Sequence, residues 1–320
     1  MKNCWAAGTA LGLAIAVAGV GSVPAVAETD DTFGAVAVAT PETVADAANV
    51  PTTSVGENAI DATVSGLDVT VPVNAADGIS VTGETRTVSI GLPFASKSEE
   101  AVVEHQGVVS YDNNNGSTTL PIVQNDGSVQ INTIIDNESA PTEYAYPVSV
   151  PFGGKLQIEQ GGVSVLDADG GWIAGFLPAW AKDAKGVPVA THYEVRAETL
   201  VQVVEHRGST VQYPVVADPW LGVNLISHWW WTGAGSSRAV HIAVTPMMGV
   251  VTEAIAAQFG WDEASSGIGS EIRKATYEQQ FKCHALGKVA IFFDPGNWDL
   301  EVKRGTVANF ARMVTSHCNW

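Results

Sequence analysis

Cys283-His284 and His317-Cys318 bring together the most reactive side chains of this sequence. Two thiols and two imidazoles are a ligand set for zinc. Neighbouring residues on a helix point about 100° apart, however, so both members of a pair rarely reach one ion. The pairs also lack the two-residue spacing of zinc knuckles. A thiol beside an imidazole is equally the start of a nucleophile–base pair, but adjacency in sequence is not the geometry that chemistry needs. In an oxidising compartment the default for Cys283 and Cys318 is a bond to each other. That disulfide is the expectation here, with no metal and no cofactor.

Other fragments of chemistry are incomplete. His192-Tyr193-Glu194 supplies half of a zinc-deaminase signature, and the Pro-Cys-x-x-Cys half is missing. Its simpler reading is the polar face of a strand. Asp167-Ala168-Asp169-Gly170-Gly171 opens like a calcium loop, yet Gly171 stands at the third acidic position and no Glu closes it. A hairpin turn is expected instead. There is no Gly-x-Ser-x-Gly, His-Glu-x-x-His or phosphate-cradling glycine loop. Glu278, Asp299 and Glu301 could serve as paired carboxylates of a glycosidase, but their spacing singles out no pair. The catalytic residues are therefore unassigned.

Trp229-Trp230-Trp231 is the strongest binding signal. On a strand the middle ring opposes its neighbours. An exposed aromatic face can stack on sugars or hold an apolar partner, whereas large aromatics more commonly fill a core. His228 beside them reads as a hydrogen-bonding residue of structure.

The elements that position these residues can be read from periodicity. After Trp220 the pattern is α+β. Ala239 to Val244 alternates as a strand, and Trp229 to Trp231 belongs to another. Thr245-Pro246 suits a helix start. A helix with Val251, Ile255 and Phe259 on one stripe is expected to stop at Gly260. A second, starting near Ser270, carries Ile272, Ala275, Thr276, Cys283 and Leu286, with Gln279 as the misfit and Gly287 as a left-handed cap. A third follows Thr306 with Val307, Phe310, Val314 and Cys318. The disulfide would fasten the last helix to the second. It closes a loop of about 35 residues, for which chain entropy gives about 3–4 kcal/mol.

Before that region the pattern is β. Val129, Ile131, Thr133 and Ile135 alternate with Gln130, Asn132 and Ile134, which predicts one apolar face. Turn signals recur at Asn115-Gly116, Asp126-Gly127, Gly153-Gly154, Gly161-Gly162 and Asp169-Gly170. Many short strands with such turns indicate an antiparallel sandwich or barrel. Val102-Val103-Glu104-His105 recurs as Val203-Val204-Glu205-His206, but the flanks do not match, so chance or common strand chemistry is expected over a duplicated sheet.

The N-terminus sets the compartment. Lys2, an apolar run from Trp5 to Val20 and Ala25-Val26-Ala27 form an export signal, with cleavage expected between Ala27 and Glu28. Without residues 1–27 the chain has 15 bases against 34 acids, a net charge of −19. Such acidity disfavours nucleic acid and anionic membranes as partners. No second long apolar run predicts a transmembrane segment. Residues 28–57 hold six acids, no base and one aromatic, and read as a flexible acidic arm. Residues 28–219 have a net charge of −19 and residues 220–320 of zero, which marks a boundary. The expected division is a signal peptide at 1–27, the arm at 28–57, a mainly β antiparallel domain at 58–219 and a smaller α+β C-terminal domain at 220–320.

Two stretches carry a resemblance. Pro178-Ala179-Trp180-Ala181-Lys182-Asp183-Ala184, Thr191-His192-Tyr193-Glu194-Val195, Leu200 to His206 and Tyr213-Pro214-Val215-Val216-Ala217-Asp218-Pro219 resemble a β module of exported actinobacterial proteins. Gln280-Phe281-Lys282-Cys283-His284 with Trp298-Asp299-Leu300-Glu301 resembles an actinobacterial domain of unknown function. The resemblance implies export and supplies no catalytic residues. The functional expectation is a secreted, non-enzymatic binding protein of the envelope, taking a cell-wall polymer, a glycan or an extracellular protein. The alternative is a secreted hydrolase or toxin with its activity in residues 220–320.

Overall fold

The structure is a computed structural model and describes residues 32–84, 86–287, 297–307, 310–316, 318 and 320. The expected export signal and the expected cleavage point, Ala27 and Glu28, lie outside the described residues, as does His317.

Strand outweighs helix, 39% against 20%, as the recurring turns predict. Seven strands form one antiparallel sheet, in the order Asn58–Val64, Leu67–Pro72, Ile79–Thr82, Thr87–Ile90, Glu143–Ser149, Thr199–Val204 and Thr191–Arg196. A ten-stranded sheet faces it. Its main path runs Lys155–Glu159, Gly162–Leu166, Trp172–Phe176, Trp220–Gly222, Val129–Ile135, Ser117–Val123, Val108–Asp112 and Val102–His105. Ala181–Lys182 pairs with Val215–Ala217, which in turn pairs with Val129–Ile135. The two sheets share one apolar core, with Val69, Ile79 and Tyr144 from the first and Ile131, Val163 and Phe176 from the second. This is the antiparallel sandwich that the alternation predicts. The two Val-Val-Glu-His copies fall in different sheets, in unlike settings.

The strand Val129–Ile135 corrects one expectation. It is buried on both faces, Gln130, Asn132 and Ile134 included. The outer face is covered by α1 (Thr32–Ala39), whose Val36 packs with Leu120, Ile122, Ile134 and Val216. From Thr32 onward, then, residues expected to form a loose arm are docked, and α2 (Pro41–Ala45) follows directly. The composition argument misses this because it counts only what the segment itself can bury. Phe33, Val36 and Val44 find their apolar partners on the sheet. Lys182 fastens the end of α1 by donating from Nζ to the Ala39 carbonyl at 2.7 Å.

Asp218, within the resemblance-bearing stretch, is a buried joint. Its Oδ1 accepts the Trp180 N–H at 2.9 Å and the Gln202 amide at 3.3 Å. Burial pushes its carboxyl up to about 8. The strand Trp220–Gly222 pairs inside the ten-stranded sheet, so the sandwich extends past the charge boundary at 219/220.

Beyond it stand a three-stranded sheet and the remaining helices: α3 (Met247–Val250), α4 (Glu253–Ile268), α5 (Ala275–Gly287) and α6 (Phe310–Thr315). Thr252 caps α4 by accepting the Ile255 N–H at 3.2 Å. α4 does not stop at Gly260. A Cβ there would lie 2.8 Å from Met248 and 3.1 Å from Phe281, so the missing side chain lets α4 lie close to α5. The buried side of α5 is Tyr277, Gln280, Phe281, Cys283 and Ala285, while Leu286 is exposed. The expected stripe is thus rotated, because Gln280 turns inward. Its amide accepts the Glu301 N–H at 2.8 Å and donates to the Glu301 carbonyl at 3.2 Å, satisfying a strand edge. Gly287 is simply the last helical residue. No described helix is long and apolar enough to cross a membrane.

Candidate functional site

The C-terminal sheet joins Ile226–Thr232, Ala239–Val244 and Asn297–Glu301, all antiparallel. Register decides what meets on its faces. Trp230 lies opposite His241, and His241 opposite Asp299, so these three form a line across one face. His228 and Thr232, two residues either side of Trp230, share that face. The rings lie nearly parallel. His228 and Trp230 are 5.5 Å apart at 23°, and Trp230 and His241 are 5.1 Å apart at 15°.

A hydrogen-bonded chain runs beside the rings. His241 Nδ1 is 2.6 Å from Asp299 Oδ1, and His241 Nε2 is 2.6 Å from Thr232 Oγ1. A carboxylate only accepts, so it holds the imidazole proton on Nδ1. In the neutral ring that leaves Nε2 as the acceptor for the Thr232 hydroxyl. Hydroxyl, imidazole and carboxylate in that order form the arrangement by which a base activates an alcohol. The chain lies on an open sheet face.

The opposite face carries the other two tryptophans, as strand alternation predicts. Trp229 packs against the backbone of Gly267 near the end of α4. Trp231 meets Tyr277 edge-on at 6.5 Å, and the Arg238 guanidinium sits 3.9 Å above its ring. Arg238 is itself paired with Glu271 at 2.6 Å. Trp229 and Trp230 are 40% and 38% exposed, so neither face is wholly core.

The sheet is held to the sandwich at its first strand. Glu263 of α4 accepts the backbone N–H groups of Leu225 and Ile226 at 3.1 and 2.9 Å. Arg86, from the seven-stranded sheet side, lies 3.8 Å from the same carboxylate. Burial raises the Glu263 pKa.

The remaining sequence candidates disperse. Cys283 and Cys318 form a disulfide with Cα atoms 5.6 Å apart, in a small cluster with Met313. It ties α5 to the C-terminal segment as expected and leaves neither sulfur as a thiol. His284 stacks on Trp298 at 5.7 Å, and burial lowers its pKa, which keeps it neutral. Glu278 pairs with Lys282, and Glu301 with Arg304 at 2.7 Å. Of the three acids only Asp299 bonds to the ring row; Glu301 shares its face and pairs with Lys303 and Arg304. His192 and Glu194 lie 3.6 Å apart on an outer strand face. Asp167 Oδ1 accepts the N–H groups of Asp169 and Gly171, which closes a hairpin turn where a calcium loop might have been sought. Among the described residues no group of three or more His, Cys, Asp or Glu side chains could hold a metal ion.

Sequence reasoning misses His241 and Thr232. One signal was present: His241 interrupts the apolar run Val240, Ile242 at an outward position. Its two partners are 9 residues before it and 58 after it, and only strand register joins them.

Residues 226–320 match a family described as a protein of unknown function (DUF2599). The matched region takes in the C-terminal sheet, α3 to α6 and the disulfide, and fits the expected C-terminal domain of unknown function. No curated protein and no solved structure matches the chain.

Proposed function

We propose that this chain is an exported binding protein that grips an envelope glycan through the ring face of its C-terminal sheet. The observation that carries this is the stacked row His228, Trp230 and His241, with Trp230 38% exposed and Asp299 and Thr232 beside it. Indole and imidazole surfaces suit the C–H face of a sugar, and the carboxylate and hydroxyl suit its O–H groups. Export is supported by the N-terminal signal pattern and by a disulfide, which persists in oxidising compartments. The test is co-sedimentation of the purified protein with isolated cell walls. Wild type is expected in the pellet, and Trp230→Ala is expected to shift it to the supernatant while melting within about 1 kcal/mol of wild type. Equal pelleting of the two proteins would defeat the reading.

A second reading has its own observation, the Thr232–His241–Asp299 chain. It supports a hydrolase acting through the Thr232 hydroxyl. Ester hydrolysis that is lost in both Thr232→Ala and His241→Ala would favour it, and hydrolysis unchanged in Thr232→Ala would end it.

A further inference from the structure

A second cleft, of about 520 Å3, lies on the outer side of the ten-stranded sheet and shares no residue with the ring face. Its floor is laid by cross-strand register, which sets Gln130 opposite Trp220. Gln124, at the end of the neighbouring strand, bridges to Ala47 just after α2. Trp180 forms a wall, and α2 brings Glu42 and Asp46 to the rim.

Two glutamines make this cleft unlike an ordinary crease. Gln124 and Gln130 are each only 4% exposed, and neither Nε2 has a hydrogen-bond partner among the described residues. A buried amide donor without an acceptor is unfavourable, and an apolar residue of similar shape would avoid the cost. The sandwich places these two side chains at one spot, both lining the same cavity, with their Nε2 atoms buried. The terminal torsion of glutamine is soft, so each NH2 can turn toward the cleft.

The surrounding chemistry narrows the ligand. Two amide donors call for oxygen acceptors. The carboxylates of Glu42 and Asp46, with Asp126 beside them, accept O–H groups and repel anions. The half-buried Trp180 ring offers surface for a C–H face, with the buried Trp220 beneath it. Lys182, 5.5 Å from the Trp180 ring, is committed to the Ala39 carbonyl. The cavity falls within the usual range for small-ligand sites. We propose that this cleft binds a neutral sugar unit of a glycan, independently of the ring face.

The purified protein would be titrated with maltotriose, cellotriose, chitotriose and mannotriose, with a trigalacturonate as the charged control. Tryptophan fluorescence and calorimetry are the readouts. At least one neutral trisaccharide is expected to bind saturably, and the uronate at least tenfold more weakly. Trp180→Ala and Gln130→Leu are each expected to weaken binding tenfold or more. Gln130→Leu should also melt no lower than wild type, since it removes an unpaired donor, which separates ligand loss from misfolding. Phe152→Ala, at a fully exposed ring that lines neither the cleft nor the ring face, should bind as wild type. No saturable binding of any neutral sugar would overturn the proposal, as would full binding by Gln130→Leu. Binding lost only in Trp230→Ala would assign the sugar to the ring face and remove it from the cleft.

Discussion

The sandwich and the C-terminal region solve the same problem of stability in different ways. The sandwich spreads its core over two large sheets and an added helical cover, with dozens of interchangeable aliphatic contacts. The C-terminal region has three strands and short helices. Beside its own apolar core it has specific fasteners: a disulfide, the glycine contacts at Gly260 and Gly267, a buried glutamine and a carboxylate at the joint. Part of its core is borrowed, since Leu166, Trp172 and Trp220 of the sandwich pack with Met247, Trp261 and Phe281. A small element with few layers can hold an exposed ring face only if its other side is strongly fixed.

The comparison can be tested from the largest expected effect downward. Asp218 is a concentrated liability of the sandwich. Its native pKa of about 8 lies above that of an unfolded carboxyl, so its contribution to stability is fully present below about pH 4 and is lost as pH rises through about 8. Asp218→Asn should therefore flatten the fall in stability between pH 5 and 9, by on the order of 4 kcal/mol. Denaturant unfolding of both proteins across that range is the check, and parallel curves would refute it.

Next is Cys318→Ser, expected to lower stability by about 3–4 kcal/mol and to act on the C-terminal region first. Hydrogen exchange should show α5 and the C-terminal sheet opening while the sandwich strands stay protected. Uniform loss of protection in both regions would erase the contrast.

Gly260→Val should cost about 1–3 kcal/mol by forcing α4 away from Met248 and Phe281. A thermal melt unchanged from wild type would mean that the close approach is not needed. Arg86→Met is the mildest. The ion pair with Glu263 is partly exposed and 3.8 Å long, so about 1 kcal/mol or less is expected. A larger loss in chemical denaturation would show the joint between the regions to be electrostatic, with packing secondary.

Much of the sandwich was legible because its signals are local. Alternating aliphatics and Asn-Gly or Asp-Gly steps define strands and turns without reference to anything distant. The opposed rings of Trp229, Trp230 and Trp231 followed from strand geometry in the same way. Helix limits in the C-terminal region were harder. Gly260 is a stop signal by local rules and a packing residue in the fold, and Gln280 is polar yet fully buried against a strand edge. The docked α1 was hidden because the apolar partners of Val36, namely Leu120, Ile122, Ile134 and Val216, come from strands 84 to 180 residues further along the chain.

The alternation of short strands and turns, the acidity, the choice of Cys283 and Cys318 as a pair and the opposition of the tryptophan rings were all determined by sequence, through short-range sterics and residue chemistry. Only the tertiary structure decided that His241 meets Thr232 and Asp299, and that Gln124 and Gln130 end up as buried donors under a helical cover. Those outcomes depend on register and docking, which are settled by the sum of many distant contacts and by no residue's own preference.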